Sequence, residues 1–529
     1  MQIEASPNFT HSLRLAQRIG FGKLRLMQAG YQWQDFERQP GHWDDKHEQT
    51  MHAFTDLTRS FGLEPTALVG RGIPLWAQAA GLKGPAAPPA DAFLQQYGQF
   101  LTRLATSFRG KIEAFETWNE PNDPSMWYSG TPAQMARLLE VQHGALHAGN
   151  PEAKVVALSV QKLQRSEAFL RQVMGNLTAP ASQFWDVLSW HPYRMQNFPP
   201  AVPGPEASPD PLRGEVQRMA KDYSFGKELW TTEFGFKIAS KFAPGCAPGQ
   251  HPTRSPGGYT IYANWGASPP WSEEQQATFY VQQVLIMFAN GVSTQHYYQL
   301  DEGMMTDRWA FGMAGRNQAY MKAAYFAAAE LVRQVDRAES FVQESLEGLD
   351  GVWLTTVYEG GAQSLVIWKA AGAVDLEIET PLASLVVADM FGNAFTLHPM
   401  HGKAFLTLTE APLYIGCKRA DLSRVGTAGF QLAAHAETVA AGATTSSLSL
   451  RGVPPAGCAG VVQAGFLSAN SSVPAGALGA GANVAVPALG AVLGETFEAV
   501  LWLVDHLQTY PHTLLVVRMQ WGTGPRGGS

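Results

Sequence analysis

A chain of 529 residues exceeds what one hydrophobic core organises, so about two to four domains are expected. With 45% hydrophobic and 16% charged residues and a net charge of −7, the composition is globular and lacks the basic surface that nucleic acid requires. Cys246, Cys417 and Cys458 are too widely spaced for a zinc signature or a disulfide framework and leave room for one disulfide.

The opening MQIEASPNFT has neither the basic nor the apolar region of a secretory signal, so the chain is expected to be cytoplasmic, or exported with its leader absent from this sequence. No run reaches the roughly 18 apolar residues of a membrane span. Asn8, Asn176 and Asn470 head Asn-X-Ser/Thr triplets, which matter only in a eukaryotic secretory setting. From residue 23 short apolar runs alternate with helical periods. Strands are predicted over 23–27, 64–70, 112–118, 153–159, 184–190, 227–233 and 292–300. Helices are predicted between and after them, over 47–62, 91–110, 131–149, 166–176, 211–224, 272–291 and 317–335. Gly62 and Gly110 stop two of these helices, and Thr131 and Pro132 are good N-cap and first-turn residues for a third. Pro-rich and Gly/Pro-rich loops fall at 199–212 and 243–270.

Seven strand–helix units in succession predict a parallel sheet, and an eighth closes a (β/α)8 TIM barrel. The missing first strand is expected within MQIEASP. A doubly wound open sheet is the alternative, disfavoured because no strand runs into a Gly-rich phosphate loop. The barrel is expected to occupy 1–335. Short strands with turn residues between them then predict a β-sandwich-like domain over 336–417 and a small β-rich domain over 418–529, ending in a disordered tail.

Barrel strands present their C-terminal ends around one mouth. Two of the predicted strands end on carboxylates: Glu120 in WNEPN (118–122) and Glu233 in TTEFGF (231–236). A lone Glu before Pro is ordinarily a turn residue. A second carboxylate facing the same cleft is what retaining glycoside hydrolysis needs. One group attacks the anomeric carbon; the other protonates the leaving oxygen and then deprotonates water, with the carboxyls about 5–5.5 Å apart. The site must then keep one protonated and the other ionised. HEQTMH (47–52) spaces its histidines five apart rather than four, which argues against a zinc helix there.

These two motifs resemble the catalytic motifs of glycoside hydrolase clan A, and the chain is most similar to the family 39-like branch of β-xylosidases, α-iduronidases and exopolysaccharide hydrolases. The resemblance spans about residues 10–417. It includes RLMQAGYQWQDFERQPGHWD (25–44), FWDVLSWHPY (184–193) and ADMFGNAFTLHP in the following β-domain. It implies a retaining O-glycoside hydrolase with Glu120 as acid/base and Glu233 as nucleophile. It also implies that Asn119 bonds the sugar 2-hydroxyl, that Arg25 keeps the nucleophile ionised, and that His191 and Tyr193 line the cleft. Tyr297 or Tyr298 would close its floor where clan members often have Trp. Trp33, Glu37, Trp76 and Trp309 are candidate sugar contacts from loops, although core packing explains a tryptophan nearly as well. No metal or other cofactor is expected, the expected partner is a carbohydrate, and the oligomeric state is open. Two alternatives use the same scaffold: a non-catalytic carbohydrate-binding or matrix protein, and a transglycosylase.

Overall fold

The computed structural model describes residues 9–27, 30–82, 84–124, 128–193, 212–236, 272–301, 311–315, 321–399 and 402–427, together with the strand backbones within 445–520 named below. The chain divides into two compact units, Met1–Asp336 and Arg337–Ser529.

In the first unit the elements run α1 (Phe9–Ile19), β1 (Lys23–Leu26), α2 (Trp33–Phe36), α3 (Asp45–Ser60), β2 (Glu64–Leu68), α4 (Leu94–Ser107), β3 (Ala114–Glu116) and α5 (Pro132–Gly149). They continue with β4 (Lys154–Gln161), α6 (Leu163–Gly175), β5 (Val187–His191), α7 (Leu212–Arg218), β6 (Glu228–Phe234), α8 (Glu273–Ala289), β7 (Val292–Tyr297) and α9 (Ala323–Val335). Strands β1 to β7 form one sheet in chain order, every neighbouring pair parallel. Its two edge strands, β1 and β7, approach each other, so the sheet is nearly closed into a (β/α)8-type barrel. The expected first strand in MQIEASP lies outside the described residues. Helix α1 was not expected from the sequence. Leu13, Leu15, Ala16 and Ile19 bury its apolar side, and Gly20, at φ +91°, ends it.

Local chemistry explains the main boundaries. Thr131 accepts from the Gln134 N–H while Gln134 bonds back to the Thr131 N–H, and Ser272 and Gln275 do the same at the start of α8. Asp44 caps α3 by accepting from the His47 N–H. The histidines of HEQTMH go to separate partners, His47 Nε2 to the Gly30 carbonyl at 2.7 Å and His52 Nε2 to Ser107 Oγ at 2.9 Å. The barrel strands are buried along most of their length, as parallel strands covered on both faces must be.

The second unit is antiparallel. Six strands pair in the order β13-β12-β15-β10-β9-β8, with β8 at Ser340–Ser345, β9 at Val352–Glu359, β10 at Ala362–Lys369, β12 at Leu385–Ala388, β13 at Ala394–Leu397 and β15 at Leu413–Ile415. Three more pair as β14-β11-β16, at Lys403–Leu408, Val374–Glu379 and Arg424–Thr427. Leu354, Ile367, Leu376, Ile378, Leu406 and Ile415 from both sheets share one core, which makes this a β-sandwich. Its pairing runs past residue 417 because β16 adds to β11. Beyond it the backbone forms a two-stranded sheet, β17 (Thr445–Leu450) with β20 (Ala482–Pro487). A four-stranded sheet follows, in the order β19 (Ala469–Pro474), β18 (Val461–Phe466), β21 (Thr496–Val504) and β22 (Pro511–Gln520).

Candidate active site

Arg25 projects from β1 and is fully buried. Burying a guanidinium is costly unless its fork of donors is met by acceptors. Here it is. Nε and Nη2 donate to the two carboxylate oxygens of Glu116 at 2.5 and 2.8 Å, Nη2 also donates to Asn119 Oδ1 at 2.7 Å, and Nη1 donates to Glu233 Oε1. Glu116 is itself fully buried at the end of β3. The guanidinium thus joins β1, β3 and β6 at the carboxyl ends of the strands. Tyr193 donates its hydroxyl to the other Glu233 oxygen at 2.9 Å. Burial pushes the Glu233 carboxyl up. The charges of Arg25 and His191 and the bonds from Arg25 and Tyr193 outweigh it and hold the group below its ordinary range. Burial and the nearby carboxylates push the Tyr193 phenol well up, so it stays a donor.

Asn119 and Glu120 follow β3. With its Oδ1 turned to Arg25, Asn119 aims its amide Nδ2 elsewhere, and that nitrogen is buried without a partner among the described residues. Glu120 has φ +47°, the left-handed region that a non-glycine residue enters at a cost. The surroundings hold it there. Its N–H donates to the Ser159 carbonyl at 3.0 Å, its carbonyl accepts from the Asp123 N–H at 3.0 Å, and Asn122 Oδ1 accepts from the Gln161 N–H at 2.8 Å. The receiving strand is irregular too. Leu158 and Ser159 both have positive φ, and the β4–β5 register shifts between Ala157 and Val160. Close approach of backbones also shapes the rim. A Cβ on Gly70 would stand 1.5 Å from the Thr117 carbonyl oxygen, and one on Gly235 would stand 2.1 Å from that of Tyr298.

Different neighbours surround the Glu120 carboxylate. Oε2 accepts from Gln161 Nε2 at 2.8 Å, and Oε1 lies 2.9 Å from His191 Nδ1. On its other side His191 Nε2 lies 3.0 Å from Thr232 Oγ1, which donates to Ser159 Oγ at 3.1 Å and lies 2.7 Å from Ser189 Oγ. Because Thr232 gives its proton to Ser159, it accepts from His191, so Nε2 carries hydrogen. The Nδ1···Oε1 contact then holds one further proton, on the imidazole or on Glu120.

One oxygen each of Glu120 and Glu233 and one nitrogen of His191 all lie within 4.8 Å of one another. Both carboxylates are 7% exposed, enough to meet a ligand in the cleft and too little to be solvated as surface groups. Three such ligand atoms could hold a metal ion, but the Arg25 guanidinium already sits on Glu233, and a second cation there would face it.

The remaining predicted residues are distributed unevenly. Trp33 is fully buried, its indole N–H donating to Glu37 Oε2 at 2.8 Å, and it packs on Trp76, Tyr97 and Phe100. Glu37 also accepts from the Gly41 N–H at 2.6 Å, so its carboxylate is engaged by its own loop. Trp76 is half-buried, edge-on to Trp33 and Phe93. Tyr297 turns away from the mouth: its hydroxyl donates to the Phe311 carbonyl at 2.9 Å, and its ring packs on Phe234 and on Tyr280 of α8. Tyr298 is the tyrosine on the cleft side, 6.4 Å from the ring of Tyr193. Trp309 lies outside the described residues, as do most of the loops at 193–213 and 237–271. Sequence reasoning missed Glu116, Gln161, Thr232 and Ser159.

No family model and no curated protein sequence matches the chain. Solved structures do. A family 39 glycoside hydrolase from the gut symbiont Bacteroides cellulosilyticus WH2 is similar at a TM-score of 0.60 and 18% identity, over 79% of this chain and 80% of that one. The GH30 endoxylanase of Clostridium papyrosolvens C71 is similar at a TM-score of 0.50 and 14% identity, over 81% of this chain and 95% of that one. A GH39 enzyme from Xanthomonas axonopodis pv. citri gives a TM-score of 0.50 and 13% identity, over 77% and 90%. The chain therefore has the fold of the family 39 and family 30 glycoside hydrolases, as its two carboxylate motifs led one to expect.

Proposed function

We infer that the chain is a retaining O-glycoside hydrolase acting on an oligo- or polysaccharide, with Glu233 as nucleophile and Glu120 as acid/base. The observation that carries this reading is the pair of strand-end carboxylates with oxygens within 4.8 Å of each other, one of them bonded by a buried arginine. Carboxyls about 5–5.5 Å apart suit direct attack, whereas inversion needs about 6.5–9.5 Å to admit a water. The solved structures that share this fold are glycoside hydrolases by description, which agrees with the class.

In the first step a Glu233 oxygen bonds to the anomeric carbon as the glycosidic C–O bond breaks, and the proton of the Glu120–His191 contact passes through Glu120 to the leaving oxygen. Arg25 and Tyr193 keep Glu233 ionised beforehand and hold it in line. In the second step Glu120 takes a proton from water, the hydroxyl attacks the anomeric carbon, and Glu233 leaves as carboxylate. Asn119 Nδ2, buried and without a partner among the described residues, is positioned to donate to the sugar 2-hydroxyl, a contact that strengthens in the transition state. The test is a screen of aryl glycosides and polysaccharides with the anomer of the first-formed product read by NMR. Retention is expected, and inversion overturns the reading.

A further inference from the structure

We propose that His143, His147 and Asp186 form a binding site for a divalent transition-metal ion of the zinc type, on the face of the barrel unit remote from Glu120 and Glu233. His143 and His147 stand four apart near the C-terminal end of α5, on one face of the helix. Asp186 immediately precedes β5, whereas His191, beside Glu120, ends that strand. The two sites are thus separated by the length of β5, about 16 Å at roughly 3.3 Å per residue.

Three observations point to a cation. First, the donor set is right: one ligand atom each from His143, His147 and Asp186 lie within 4.8 Å of one another. Bonds of about 2.0–2.2 Å around one ion bring such atoms to roughly 3–3.5 Å, a closure that side-chain rotation of half-buried groups supplies.

Second, the hydrogen bonds of His147 leave an electrostatic gap. Its Nδ1 lies 3.2 Å from the Pro151 carbonyl, which can only accept, so Nδ1 carries the hydrogen. In a neutral imidazole Nε2 then presents its lone pair, and it faces Asp186 Oδ2 at 3.0 Å, another acceptor. Two lone pairs at that distance need a proton or a metal ion beside them. An Nδ1–H donating to a backbone carbonyl is also the arrangement that orients a metal-ligating histidine. Asp186 is fixed from behind, because the same Oδ2 accepts from the Val155 N–H at 2.9 Å and the Asp186 N–H bonds the Val155 carbonyl at 3.1 Å.

Third, His143 stands beside this pair with its ring nitrogens not engaged by any described residue. Its ring lies 4.5 Å from that of His147. Bound there, an ion ties the end of α5 to the segment between α6 and β5, leaving its remaining coordination to solvent.

The test is a zinc titration of the chelator-treated full chain by calorimetry, repeated with cobalt(II) read by its visible absorption. One ion per chain at micromolar or tighter affinity is expected, with a melting temperature that rises with zinc. His143→Ala should weaken binding at least tenfold while the His147–Asp186 contact remains. Asp186→Asn, which keeps the bond from Val155, should do the same. Glu233→Gln should leave it unchanged. The proposal is overturned by no saturable binding up to about 100 µM metal, by binding that both ligand variants preserve, or by binding lost in Glu233→Gln, which would seat the ion between the cleft carboxylates.

Discussion

Glu120 and Glu233 are the same residue type, carried by β3 and β6 to one mouth of the barrel and equally buried, yet their surroundings differ in kind. On the Glu233 side a permanent cation is locked between Glu116, Asn119 and the carboxylate, and a phenol donates from the other side. The Glu120 side offers neutral or titratable partners: a carboxamide, and an imidazole backed by three hydroxyls. A fixed charge holds one protonation state; a titratable partner lets a proton move. That contrast is what the proposed division into nucleophile and acid/base requires of two identical groups.

The largest effect should come from Glu233→Gln. With the proposed nucleophile gone, kcat on any glycoside found in the screen is expected to fall by about 10⁴ or more. A variant that keeps ordinary turnover breaks the assignment. Replacing Glu120 with Ala should cost less, and unevenly. Substrates with poor leaving groups are expected to lose about 10²–10⁴ in kcat, those with good leaving groups much less. Azide, standing in for the water that Glu120 activates, should rescue the latter as a glycosyl azide of retained configuration. A uniform loss across leaving groups would remove Glu120 from the acid role.

The Glu233 side should also carry a stability signature that the Glu120 side lacks. Arg25→Met leaves buried carboxylates without their cation and is expected to cost about 3–5 kcal/mol in denaturant unfolding at neutral pH. The Glu233 pKa is depressed in the folded state. Its contribution is therefore present above the unfolded value of about 4.3 and is lost as pH falls through the folded value. The gap between wild type and Arg25→Met should therefore narrow as pH drops below about 4. A gap independent of pH would mean that Arg25 acts through packing alone.

Much of this frame was legible in the sequence because it rests on periodicity and on punctuation. The strand–helix alternation, the Thr131 and Ser272 helix starts and the strand-end positions of Glu120 and Glu233 are all local patterns. Partnership across the barrel was not legible. Glu116 reads as an ordinary strand residue until the fold brings Arg25 against it, and Gln161 reads as the polar end of β4. The kink at Leu158 and Ser159 uses no glycine, so no residue announces it. Trp33 shows the opposite error. An aromatic in a loop-like stretch suggests a sugar platform, but burial under Trp76 and Phe100 is a property of the packed state. Helix α1 was missed although Leu13, Ala16 and Ile19 recur at helical spacing along its buried side.

The smallest expected effect tests the finer half of the comparison. The side-chain amide of Gln161 donates to Glu120 Oε2 at 2.8 Å and to the neighbouring Asp123 Oδ2 at 3.3 Å. Gln161→Ala removes one hydrogen bond that fixes Glu120 Oε2, worth about 1.4 kcal/mol or tenfold in rate. If Gln161 positions the acid, that loss should appear in kcat for poor leaving groups, which need the proton, and fade for good ones, which do not. KM should hardly move. If Gln161 merely packs the end of β4, both substrate classes should lose alike and the melting temperature should fall with them. The dependence on leaving group, not the size of the loss, separates a residue that aims a proton from one that fills space.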